Sequence, residues 1–74
     1  MTNRLQELRL ARNETQQQMA NIMGIKTTSI YCRKELGGIK VSLEEAHAAA
    51  KHFGLSMEEI FFADEIDIDA TRKE

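Results

Sequence analysis

The stretch Thr15-Gln16-Gln17-Gln18-Met19-Ala20-Asn21-Ile22-Met23-Gly24-Ile25 decides how this chain folds. Thr15 stands three residues before Gln18, the spacing at which a hydroxyl accepts from the third amide of a helix while the glutamine side chain reaches back. A helix therefore starts at Gln16. Met19, Ala20 and Met23 then recur at helical spacing and form one inward stripe. Gly24 stops that helix, because glycine takes the left-handed conformation of a helix end without strain. Ala20 is small enough for a second helix to cross closely, and Ile25 fills the angle between the two. The result is two helices joined by a turn of three or four residues.

Outward from this stretch the same punctuation repeats. Ser42-Leu43-Glu44-Glu45 and Ser56-Met57-Glu58-Glu59 carry the same three-residue spacing, here from a hydroxyl to a Glu, and with no proline in the chain the four glycines at 24, 37, 38 and 54 are the strong stops. Five short helices are predicted. They run from Asn3 to Arg12 with Leu5, Leu8 and Ala11 on one stripe, from Gln16 to Met23, and from Thr28 to Leu36. The fourth runs from Leu43 to Phe53 with Leu43, Ala46, His47 and Ala50 on one face, and the fifth spans Met57 to Phe62. Leu55, Ile60 and Phe61 are expected to close the core, with His47 inside it or at its boundary. The fold class is all-α, a compact five-helix bundle with a helix-turn-helix over residues 1–62, followed by a short acidic tail over residues 63–74. In that tail Asp64-Glu65-Ile66-Asp67-Ile68-Asp69 alternates acid and isoleucine. Its period of two suits a strand, but without a partner edge it reads as a solvated tail.

At 74 residues the chain is one domain with a small core, since a chain of this size buries only about 60% of its unfolded surface. No run of 18 apolar residues and no charged-then-apolar leader occurs, so neither a membrane span nor a secretory signal is expected and the reading is cytoplasmic. Cys32 has no second cysteine to pair with, and with His47 and His52 it makes no zinc-ligand spacing. No metal or cofactor is expected. An enzyme is not expected either, because the chain has no glycine-rich phosphate cradle and no nucleophile at useful spacing from a base.

Ten Lys and Arg against twelve Asp and Glu give a net charge of −2, which by itself argues against phosphate binding. The distribution argues otherwise. Residues 1–43 hold seven basic groups and three acids, whereas residues 44–74 hold three basic groups and nine acids. So uneven a split predicts two electrostatically different faces.

From Thr15-Gln16 through Ala20 to Gly24-Ile25, the chain resembles the phage-repressor (Cro-like) helix-turn-helix family. The resemblance extends from residue 3 to 62, taking in Asn3-Arg4-Leu5-Gln6-Glu7-Leu8-Arg9, Ser42-Leu43-Glu44-Glu45-Ala46 and Phe53-Gly54-Leu55-Ser56-Met57-Glu58-Glu59-Ile60-Phe61. It implies a non-catalytic, sequence-specific DNA-binding transcriptional regulator of a phage or prophage-like genetic switch, with a double-stranded operator as partner. The third helix would enter the major groove. Gln16 and Gln17 would then lie at phosphate or base edges, Thr27, Thr28 and Ser29 in the first turn of the recognition helix, Arg33 on guanine, and Lys26, Lys34 and Lys40 on phosphates, with Arg4 adding to the salt-sensitive affinity. Any homodimer is expected to be weak, formed on DNA through the fifth helix or the Ile66/Ile68 tail.

The third helix admits two registers. Counted from Gly24, Ile30 is buried and Arg33 falls at an apolar position; counted back from Gly37 along Tyr31-Cys32-Arg33-Lys34-Glu35-Leu36, the helix is displaced by one residue, about 100°. An exposed Ile30 or Tyr31 would suit a protein partner. The alternative function is accordingly an antirepressor or modulator that binds a phage repressor protein through the same surface, with Ile30 and Tyr31 as partner contacts.

Overall fold

The computed structural model describes residues 3–67. Within them α1 (Leu5–Ala11), α2 (Gln16–Met23), α3 (Thr28–Leu36), α4 (Leu43–Phe53) and α5 (Met57–Ile60) follow in order, with β1 (Val41–Ser42) before α4 and β2 (Ile66–Asp67) after a short 3-10 turn at Ala63–Glu65. The chain is mostly helical, as expected of an all-α fold. No helix among the described residues is long and apolar enough to cross a membrane.

All three capping boxes form. Thr15, Ser42 and Ser56 accept from the amides of Gln18, Glu45 and Glu59, whose side chains return the bond to the cap amides. Gly24 takes φ 74° at the end of α2, and the amide of Ile25 donates to the carbonyl of Ala20 at 2.8 Å. That bond turns the chain and drops Ile25 into the core. Thr27 then opens α3 by accepting from the amide of Ile30. Four residues, 24–27, thus separate α2 from α3.

The core joins Leu5, Met19, Ala20, Met23, Ile25, Tyr31, Val41, Ala46, Ala49, Ala50, Ile60 and Phe61, with Leu8, Phe53, Leu55 and Met57 packed around it. The alanines of α4 carry only methyl groups, so α2 lies close against α4, and α3 leans on α2.

Several expectations are corrected. The first helix is shorter than Asn3 to Arg12, because Asn3 is drawn out of it: its Oδ1 accepts from the amide of Leu5 at 2.9 Å and its Nδ2 donates to the carbonyl of Lys34 at 3.0 Å. Ala11 is exposed and Arg9 is buried in its place. A glycine is not needed to end α1, where Asn13 adopts φ 57°. His47 is exposed, on the outer side of α4.

The solvated-tail reading fails for the residues up to 67. Ile66 pairs with Val41 and Asp67 with Ser42 in a parallel two-stranded ladder, so the partner edge is supplied by the chain itself. Ile68 and the residues beyond it lie outside the described part.

Candidate functional site

Two charged residues of the core hold α3 in place. Glu35 accepts from Arg9 Nε at 2.8 Å and Arg9 Nη2 at 3.4 Å, from the Tyr31 hydroxyl at 2.8 Å and from Gln16 Nε2 at 3.1 Å. Arg9 Nη1 also donates to the carbonyl of Glu14 at 3.0 Å. Arg9 and Glu35 are 8% and 1% exposed. Burial by itself would raise the Glu35 carboxyl; the hydrogen bonds from Arg9, Gln16 and Tyr31 outweigh it and hold the group below its ordinary range. The bond to Glu35 raises Arg9 above its ordinary value, and burial, reinforced by Glu35, pushes the Tyr31 phenol up. The ion pair is therefore charged at neutral pH, and it ties α1, α2 and α3 together through one carboxylate.

This network fixes the register of α3. Tyr31 and Glu35, four residues apart, face inward; Ser29, Ile30, Arg33 and Leu36 face out. The count from Gly37 holds and the count from Gly24 does not, because the four-residue turn delays the helix start to Thr28. Tyr31 is fully buried, so it does not serve as a partner contact. Ile30, at 38% exposure, remains available for one.

Around this outward face the remaining candidates take distinct positions. Thr28 Oγ1 donates to Gln17 Oε1 at 2.8 Å, which joins the starts of α2 and α3 and leaves the Gln17 amide hydrogens free to donate. The Thr27 hydroxyl is engaged as a helix cap, and Ser29 is exposed at the first turn. Lys26 is exposed in the turn, and Arg33 sits at the centre of the outward stripe. Gln16, expected at a phosphate or base edge, is half-buried with one amide hydrogen committed to Glu35.

Two basic residues are placed elsewhere. Lys34, expected as a phosphate contact, has its Nζ 2.6 Å from Glu45 Oε1 with only 12% of its side chain exposed, because Glu45 at the start of α4 lies within reach and its charge needs a partner. Lys40, beyond the end of α3, lines a cleft with Ile39, Phe62 and Glu65. Arg4 is likewise occupied, by Glu7 at 3.4 Å and by the carbonyl of Glu59 at 3.1 Å, and Arg12 lies 3.6 Å from Glu14. Of the seven basic residues in the first 43, only Lys26, Arg33 and Lys40 are without an ion pair among the described residues.

Sequence reasoning missed Arg9 and Glu35. Each lies four residues after a buried residue, Leu5 and Tyr31, and so continues an inward stripe; that spacing was the available signal. Comparison of the chain with protein-family models, with curated proteins and with solved structures found no match.

Proposed function

We propose that the chain is a sequence-specific DNA-binding regulator, of the kind that serves a phage or prophage-like genetic switch, in which α2, the turn and α3 act as a helix-turn-helix and α3 enters the major groove. The observation that carries this reading is the outward face of α3. Ser29 and Arg33 lie on it one turn apart, with Gln17, Lys26, Thr27 and Thr28 around its beginning, and Glu35 anchors the opposite side of the helix to the core. A helix anchored on its inner side, whose outward face carries the Ser29 hydroxyl and the Arg33 guanidinium beside Ile30 and Leu36, offers base-edge donors, while Lys26 supplies a phosphate contact. In this reading Arg33 pairs with a guanine, worth about 1–3 kcal/mol of discrimination.

Selection of duplexes from a random pool at about 50 mM salt, followed by polarisation titration of the selected site, tests this. The expected result is a consensus containing a guanine, with Arg33→Ala losing roughly tenfold or more on that site and little on random duplex. Failure to enrich any sequence with folded protein would overturn it.

One observation favours the antirepressor as a second reading: Ile30 and Leu36, 38% and 58% exposed, flank Arg33 on the same helix. Loss of repressor co-elution on changing Ile30→Ser, with duplex binding intact, would select that reading.

A further inference from the structure

We propose that residues 68–74 cover the outer side of α4: Ile68 fills the groove between the start of α4 and the start of α5, and Arg72 meets the acids on its rim. The inference goes beyond the DNA-binding reading and does not depend on what α3 binds.

The groove has a volume of about 350 Å³ and is lined by Leu43, Glu44 and His47 of α4 and by Met57, the first residue of α5. Leu43 and Met57 are only half-buried, so both leave apolar surface open to water between the two helices. Covering that surface is favourable in proportion to its area. The rim is acidic. Glu44, beside Leu43, and Glu58, beside Met57, are exposed and form no ion pair among the described residues. A segment that brings an apolar side chain first and a cation a few residues later fits both parts.

The occupant follows from the direction of β2. Ile66 pairs with Val41 and Asp67 with Ser42 in parallel, and Ser42 is the cap of α4 with Leu43 its first residue. The strand therefore delivers the chain to the mouth of the groove, with Ile68 one Cα step of about 3.8 Å beyond Asp67. From there the sequence is Ile68-Asp69-Ala70-Thr71-Arg72-Lys73-Glu74. In the two-residue alternation of an extended chain Ile68, Ala70 and Arg72 share one side and Asp69 the other. At about 3.3 Å per residue Arg72 reaches up to about 13 Å from Ile68, which spans the rim on either side of the groove. A second copy carries the same residues, but a tethered segment meets the groove at an effective concentration of about millimolar and so occupies it first.

A chain ending at Asp67 and the variant Ile68→Ser, compared with the full chain by urea unfolding and by the proton resonances of the His47 ring, test this. Both changes should lower the urea midpoint and shift the His47 signals, while the His52 ring, held by Glu14 at 2.7 Å, serves as the control. Arg72→Glu should lower the midpoint at about 50 mM salt and leave it nearly unchanged at about 1 M. Ile68→Ala and Met57→Ala should be coupled, the double variant raising the unfolding constant at least threefold less than the product of the single effects. If the shortened chain fails to fold, Ile68→Ser and the coupled pair still decide. A shortened chain with an unchanged midpoint and unmoved His47 signals overturns the proposal and leaves the groove to an outside partner. Additive effects of Ile68→Ala and Met57→Ala overturn it too, since Ile68 then sits elsewhere. A His47 shift that disappears on dilution from about 1 mM to about 50 μM would assign the groove to a second copy, and would overturn it equally.

Discussion

Glu35 gathers four donors from three helices onto two oxygen atoms, and its removal strands each of them. Arg9 would be left as a buried charge without its partner, and such a loss costs about 3–5 kcal/mol. For a 74-residue domain that is most of the stability available. Glu35→Ala should therefore leave a largely unfolded chain, read by circular dichroism and urea titration. Glu35→Gln keeps the shape and isolates the charge. The sign of the pH effect follows from the lowered carboxyl: the unfolded chain takes up its proton at a higher pH than the folded one. The Glu35 contribution is thus complete above the ordinary carboxylate range and is lost as pH falls from there through the folded-state value. Wild-type urea midpoints at pH 7 and pH 3 should differ by more than those of Glu35→Gln, and equal differences would show that Glu35 does not carry the acid sensitivity. The anchor was hidden in the sequence for a physical reason. A charged residue reads as solvent-facing, and only its partner 26 residues away, brought close by the fold, makes burial tolerable.

Helices whose ends are written chemically were legible to the residue. The expected bounds of α2, α3 and α4 coincide with those observed, and each has a hydroxyl cap at its start and a left-handed glycine at its end. Where those signals are missing the reading slipped: α1 has no side-chain cap and ends on Arg12, and α5 runs into an extended Phe61 rather than a glycine. The position of β2 was illegible for another reason, since pairing with Val41 is a contact across the intervening α4 and α5. The turn between α2 and α3 offers a clean test of the glycine signal. A Cβ at Gly24 would meet nothing within 4 Å, so Gly24→Ala adds only backbone strain at φ 74°. The expected cost is about 1–2 kcal/mol in urea unfolding, with α3 keeping its register. An unchanged midpoint would mean that the left-handed residue is not required there.

Charge is where the whole molecule departs most from its sequence. Counting residues gives the first 43 a surplus of four positive charges, but Arg4, Arg9, Arg12 and Lys34 are each held by a glutamate, and one of those glutamates, Glu45, comes from the acidic half. The split by halves was legible, whereas the pairing that consumes it was not, because it is set by how α3 lies beside α4. Of the basic residues in the first 43, only Lys26, Arg33 and Lys40 remain without an ion pair among the described residues, so the half of the chain that holds α3 can release few counterions from bound duplex DNA. The slope of log affinity against log salt should be no steeper than about three per copy. Lys26→Gln should flatten it by about one unit, since that lysine is exposed beside the start of α3. Lys34→Gln should leave the slope unchanged and lower the urea midpoint instead, because it removes the partner of Glu45. A salt titration of both variants distinguishes the two kinds of lysine. If Lys34→Gln flattened the slope as much as Lys26→Gln, Lys34 would have to exchange Glu45 for a phosphate, and the ion pair between α3 and α4 would be a resting contact that opens when DNA binds.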